Sequence, residues 1–220
     1  PITYPHVMAG ALHLQLMTDK SFPVPLLGLV HIRNRIEQQR PLSLESRYDI
    51  QVSMGESRDV RQGVEFDFLT RFDDNGETVW QEVSTILFRM RTPKSAGAAA
   101  KPSVPPPQVS EYHSFEAPAD TGRRYAGVGR DYNPIHLSPL PARLFGFKRH
   151  IAHGMWSLAR CAALLEPSLA GSPRFLDVQF KQPLFLPGKV SLRYRSGADG
   201  IEYALLARNS DKVHLTGTLR

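Results

Sequence analysis

Residues 130–136 read Arg-Asp-Tyr-Asn-Pro-Ile-His, with an acid, an amide and an imidazole inside seven positions. Asp131 and His136 are five residues apart. On a continuous α-helix they would point about 140° apart, and on a strand they would face opposite sides. They converge only where the backbone turns, and Pro134 supplies a turn by forcing Asn133 out of the α region and fixing its own φ. The pair then projects into one pocket, with the Asn133 amide free to hold the turn or a ligand. A carboxylate and an imidazole sharing a pocket can bind one water and move its two protons separately. The competing reading is an Asn-Pro turn that happens to carry a surface acid and histidine.

The residues C-terminal to the motif favour chemistry. Phe145-Gly146-Phe147 leads into His150-Ile151-Ala152-His153-Gly154-Met155, where an apolar helix over 153–165 begins. A helix N-terminus presents unpaired N–H groups and the positive end of the dipole. Gly154, lacking a side chain, would let a carbonyl oxygen approach its N–H. An acid, an imidazole and an oxyanion donor together suit chemistry beside a thioester carbonyl.

These residues need elements to hold them. The chain has 220 residues, 41% hydrophobic and 22% charged, which fits one large or two small globular domains. Residues 93–110 are rich in Pro, Ala and Ser and read as a linker between halves at 1–92 and 111–220. In the first half a helix over 4–18 precedes strand-like stretches at 27–36, 42–54, 60–72 and 78–90, with a hairpin turn at Asp73-Asp74-Asn75-Gly76. In the second, the 153–165 helix precedes strands at 175–181, 189–196, 201–207 and 213–219. A strand over 112–116 and a short helix over 120–126 lie ahead of the motif. The halves echo each other: residues 4–14 resemble 151–161, and 39–46 resemble 181–188. A helix followed by long antiparallel strands, twice over, predicts an α+β double hotdog. Almost nothing precedes the first helix, so the N-terminal hotdog is expected to lack its first strand.

The stretch 125–159 resembles the MaoC-like hydratase/dehydratase family, which includes (R)-specific enoyl-CoA hydratases. The match runs through Tyr125, Ala126, Asp131, Asn133, Pro134, Ile135, His136, Gly146, Phe147, Ala152, His153, Gly154 and Met155. The family's usual Ser-Gly before the acid is Gly129-Arg130 here, which bears on substrate preference and leaves the pair intact. The resemblance implies reversible syn addition of water to a trans-2-enoyl thioester, giving an (R)-3-hydroxyacyl thioester. Asp131 and His136 would be catalytic, Asn133 supporting, and the Gly154 N–H the oxyanion donor. It implies neither metal nor redox cofactor, and a substrate carried by CoA or an acyl carrier protein. Arg143, Lys148 and Arg149, between the two parts of the site, are candidates for the carrier's phosphates, with Arg123 and Arg124 next.

The remaining features point to bland roles or none. Net charge is +6 with Lys and Arg scattered, so no nucleic-acid partner is expected. No apolar run reaches the roughly 18–20 residues of a membrane span. The start at Pro1-Ile2-Thr3 suggests no signal peptide. The lone Cys161 excludes an intrachain disulfide and suggests a cytoplasmic protein with a buried structural thiol. His6 and His13, seven apart on one helix, lack an evident acid partner and read as packing or surface residues. His153 reads as orienting the helix start. The first half has no Asp-x-Asn-Pro-x-His and is expected to be non-catalytic, shaping the acyl tunnel. Two rival functions stand: a hotdog thioesterase, disfavoured because the second helix has no acid before Glu166, and a non-catalytic acyl-thioester binding or assembly subunit. Homo-oligomerisation is a further expectation.

Overall fold

The computed structural model describes residues 1–26, 28–90, 111–169 and 171–220. The elements run α1 (Tyr4–Thr18), β1 (Leu29–Gln38), β2 (Asp49–Val60), β3 (Gly63–Asp74), β4 (Glu77–Arg89), β5 (Glu111–Ala117), α2 (Thr121–Gly129), α3 (Pro134–Leu137), α4 (Pro139–Leu144), α5 (Gly154–Leu165), then a 3-10 turn (Glu166–Ser168), β6 (Phe175–Phe180), β7 (Gly188–Gly197), β8 (Gly200–Ala207) and β9 (Val213–Leu219). The linker expected at 93–110 lies outside the described residues. None of the described helices is long and apolar enough to cross a membrane.

All nine strands form one sheet in the order β2-β3-β4-β1-β6-β9-β8-β7-β5. Every pairing is antiparallel. The halves meet where β1 pairs β6, from Arg33 opposite Gln179 to Glu37 opposite Phe175. The sheet is therefore continuous across the chain, as expected of a double hotdog. Beyond β7 the C-terminal half carries β5; beyond β2 no strand is present among the described residues.

Alternation sets which side chains face the helices. In the C-terminal half, Val190, Leu192, Tyr203, Leu205, Leu176 and Val178 turn inward. They meet Met155, Leu158, Cys161, Ala162 and Leu165 of α5, and these residues share one core. Full burial of Leu158 or Leu165 stabilises the fold by roughly 1.5–3 kcal/mol each. The inward face of the N-terminal half differs. Phe72, Trp80 and Ile36 are apolar and fully buried, whereas Thr70, Glu82, Ser84 and Asn34 place polar groups beside them under α1.

Two sequence expectations need correction. The sequence pattern puts the second strand over 42–54, but 41–48 is loop and β2 runs Asp49–Val60 through a bulge between Met54 and Ser57. Pro41 cannot donate to a ladder, and β2 is an edge strand whose exposed charges mask its length. Residues 134–137, expected as a turn, form the one-turn helix α3, with Pro134 at its first position. Proline suits that position because its missing N–H is unpaired there anyway.

Candidate active site

Asp131 follows α2, which ends with Arg130 in the left-handed region at φ 57° and its N–H on the Ala126 carbonyl. From there the chain is held by short-range bonds. Asn133 N–H donates to Asp131 Oδ1 at 3.0 Å, and Ile135 N–H donates to Asn133 Oδ1 at 3.3 Å. Asn133 is thus the N-cap of α3, in the backbone conformation that Pro134 demands. One turn on, His136 is buried, and its Nδ1–H donates to the Ile151 carbonyl at 2.9 Å. A carbonyl only accepts, so Nδ1 carries the proton and the neutral ring presents a lone pair at Nε2. Glycine at 122 permits this placement, because a Cβ there would lie 1.9 Å from the His136 carbonyl oxygen.

Asp131 Oδ2 lies 3.9 Å from His136 Nε2. That is too long for a direct hydrogen bond and suits one water touching both, at about 2.8 Å from each. The Asp131 side chain is 53% exposed and the imidazole is almost covered, so the carboxylate is open to solvent while the ring lies beneath the surface. Burial lowers the His136 pKa from its ordinary value, against the opposing pull of Asp131. Its resting state is a neutral base.

His153 is more deeply involved than its expected role at the helix start. It is the N-cap of α5. Its ring stacks on His136 with centroids 3.7 Å apart, and its Nε2–H donates to the Asp131 backbone carbonyl at 3.0 Å. Nε2 also lies 3.6 Å from Asp131 Oδ2, closer than His136 does. Its Nδ1 is buried without a partner among the described residues. Burial, then the neighbouring His136, bring His153 down to about 4. It clamps the Asp131 segment to α5 as a neutral ring. Tyr125 of α2 packs on its other side at 5.0 Å, and burial and the nearby carboxylates push the phenol up.

Gly154 follows His153 as the first residue of α5. Helix geometry leaves its N–H without an intrahelical acceptor, and it sits at the positive end of a twelve-residue helix. A Cβ at 154 would lie 3.0–3.2 Å from the Phe180 ring of β6. The close approach of that strand is therefore one reason for the glycine. The expected phosphate-binding residues Arg143, Lys148 and Arg149 are all exposed, on α4 and the segment after it. Arg143 Nε–H donates to the Lys148 carbonyl at 3.4 Å, and the Arg149 guanidinium lies 6.0 Å from the Phe185 ring. Arg123 caps α3 by donating to the Leu137 carbonyl at 3.1 Å, and Arg124 is exposed. Cys161 is fully buried in the α5 core, which pushes its thiol up and agrees with a structural role.

The expectation that His6 and His13 lack an acid partner is overturned. His6 Nδ1 lies 2.8 and 2.9 Å from the two oxygens of Glu82 on β4. Asn34 Nδ2 donates to the same carboxylate at 2.5 Å, and His13 Nε2 meets Thr70 Oγ1 at 2.7 Å. Sequence alternation holds the signal: Trp80, Glu82 and Ser84 share one face of β4, so an apolar core residue at 80 turns Glu82 inward. Glu82 is inaccessible to solvent. Burial alone would push its carboxyl up, but His6 and the hydrogen bonds hold it down at about 2. Two groupings of imidazole and carboxylate come within 4.8 Å of one another, around Glu82 and around Asp131. Among the described residues, the first is joined by the His6–Glu82 bonds and the second is held by bonds of His136 and His153 to the backbone.

The family model described as MaoC like domain matches residues 99–200. The chain is 34% identical over 224 residues to 3-hydroxyacyl-thioester dehydratase X of Mycobacterium tuberculosis, covering 100% of this chain and 78% of that protein. It is 33% identical over 70 residues to the (R)-specific enoyl-CoA hydratase of Aeromonas caviae, covering 30% of this chain and 52% of the relative. The crystal structure of HtdX from Mycobacterium tuberculosis superposes with a TM-score of 0.85 at 30% identity, over 100% of this chain and 86% of that one. A nine-stranded double hotdog carrying an Asp-x-Asn-Pro-x-His turn against the start of α5, and alike over its full length to such a relative, belongs to the MaoC-like dehydratases.

Proposed function

We propose that the protein is a hydro-lyase that interconverts trans-2-enoyl and (R)-3-hydroxyacyl thioesters. The observation that carries this reading is the 3.9 Å gap between Asp131 Oδ2 and His136 Nε2, in a chain of this family. In hydration, a water held in that gap loses a proton to the pair as its oxygen bonds C3. The proton is then delivered to C2 on the same face, so the pair ends the cycle as it began. Negative charge moves onto the thioester oxygen meanwhile, and the Gly154 N–H with the α5 dipole is suited to receive it. Dehydration is the same path reversed. With its Nδ1–H held by the Ile151 carbonyl, neutral His136 presents the Nε2 lone pair that can take the water's proton.

CoA or an acyl carrier protein would present the thioester, with Arg143, Lys148 and Arg149 facing the carrier's phosphates as exposed cations. The half formed by α1 and β1–β4 would shape the acyl site without its own acid–base motif. A cytoplasmic location goes with this reading. The test is absorbance at the conjugated enoyl-thioester band with crotonyl-CoA. Loss of the band without free thiol is the expected result. Release of free thiol would make the protein a thioesterase, and no change across CoA and carrier-bound enoyl thioesters of several lengths would make it a binding subunit.

A further inference from the structure

Glu82 and His6 lie in the half that has no catalytic motif, yet they are built like an active-site pair. A carboxylate removed from water is tolerated only when it is paired and hydrogen-bonded. Glu82 has its counter-charge in His6, which bridges both its oxygens through Nδ1. We propose that His6, seated on Glu82, is a positioning residue of the catalytic site, supplying from the N-terminal half the positive charge that faces Asp131. The inference rests on the hydratase reading above.

Geometry brings α1 to the site by two routes. Gly10, one turn after His6 and on the same face of α1, packs so closely on Gly129 that a Cβ would lie 3.2 Å from its carbonyl oxygen. Gly129 is two residues before Asp131. On the other side, His6 stacks against His31 of β1 at 6.0 Å, His31 meets Phe180 at 5.1 Å, and Phe180 packs against Gly154. α1 therefore packs beside the turn that carries Asp131 through Gly10, and His6 connects to Gly154 through His31 and Phe180.

The two imidazoles beside Asp131 are not cations. His136 turns a lone pair toward the Asp131 carboxylate, and His153 is a neutral ring whose N–H is spent on the Asp131 backbone. Neither imidazole offers the carboxylate a positive charge. The titratable groups facing His6 are His13 on its own helix, His31 on β1, Glu82 on β4 and Asp131, with Tyr125 of α2 within reach of both carboxylates. Burial disfavours the His6 cation, but Glu82 and, more weakly, Asp131 outweigh it and raise His6 above its ordinary value. His13 and His31 are held down near 4 and 3, chiefly by burial and then by the charge on His6. Of these three imidazoles, His6 is the one seated on a carboxylate, and so the one favoured to carry a proton.

The experiment has two parts. Proton NMR titration of His6 in the wild type, without substrate, should show a protonated ring at pH 7. The pH–rate profile for hydration of crotonyl-CoA should fall on its alkaline side as His6 loses its proton. Glu82→Gln keeps the side-chain size and removes the charge that sustains the imidazolium, so this limb should move to lower pH. His6→Gln should remove the limb and lower kcat about ten-fold, below the usual range for an acid–base group because His6 acts through Asp131, with KM changed less than kcat. A neutral His6 at pH 7 in the wild type overturns the proposal whether or not either variant folds. So does an unmoved alkaline limb in folded Glu82→Gln. Absence of hydration by the wild type sinks the hydratase reading and this inference together, whereas a neutral His6 in an active enzyme sinks only this one.

Discussion

Arg130 shows how a single residue can sit against its own backbone preference for the sake of a neighbour. Its φ of 57° lies in the left-handed region, where a Cβ is crowded and a non-glycine residue costs about 1–2 kcal/mol. The conformation ends α2 and aims the next residue, Asp131, back toward His136 and His153. The family's usual glycine at this position meets the same need without strain. Arg130→Gly should therefore stabilise the fold by up to about 1 kcal/mol, part of the relief being offset by the greater freedom of glycine in the unfolded chain. Urea unfolding of the two proteins measures this directly; an unchanged or lowered midpoint would show that this turn carries no strain. At the same scale, Asp131, Asn133, His136 and Gly154 are singled out by residue type, spacing and the family resemblance together, since spacing alone leaves an ordinary Asn-Pro turn open. The full part of His153 is not, because stacking on His136 is a contact between segments and leaves no trace in local spacing.

Element by element, the site is a short helix pinned between two longer ones. α3 has four residues and no stability of its own. It is held by the Asn133 cap, by the His136 bond to Ile151 and by the close seat of Gly122 of α2 on the His136 backbone. Gly122→Ala would drive a methyl to within 1.9 Å of that carbonyl oxygen, so α2 and α3 must separate. We expect a loss of stability of about 1–3 kcal/mol, as for overpacking in a core, together with a fall in hydration. The measurement is circular dichroism and turnover on the same sample; full activity at wild-type stability would show that α2 does not set the position of His136. The helices are readable because their apolar residues recur at helical spacing, as in Met155, Leu158, Ala162 and Leu165. The hairpin at 73–76 is readable from its turn residues. The bounds of β2 are not, because Leu42, Leu44 and Tyr48 give the loop before it a strand-like pattern, while Glu56 and Asp59 mask its far end beyond the bulge. Glu82 is hidden for a different reason: its histidine partner lies 76 positions away, beyond any local spacing of acid and imidazole.

At the scale of the molecule, the sheet that runs unbroken through β1 and β6 carries the polar interior of one half up to the catalytic turn of the other. The burial of neutral histidines leaves a signature in the pH dependence of stability. His13, His31 and His153 are held at about 4, 3 and 4, below the 6.5 of an unfolded chain. As pH falls below 6.5 the unfolded state takes up protons that the folded state refuses, so stability is lost between 6.5 and 4, at roughly 1.4 kcal/mol per proton per pH unit. Glu82 acts in the same direction at lower pH: its contribution, present above 4.5, is lost as pH falls toward about 2. His6 acts oppositely, contributing stability below 6.5 that is lost as pH rises through its raised folded value. The melting temperature should fall steeply from about pH 6.5 to about 4.5, and a flat profile would show that these rings protonate freely in the folded protein. The central claim, that Asp131 and His136 act on one water, is tested most directly by the rate of crotonyl-CoA hydration in Asp131→Ala and His136→Ala. Asp131→Ala should fold because its side chain is exposed; His136→Ala gives up the bond to Ile151 and should lose some stability, but it leaves the apolar core intact, and circular dichroism checks that it folds. Each should lose roughly 10²–10⁴ in kcat, the span expected for an acid–base group; near-wild-type turnover in either folded variant would contradict the account.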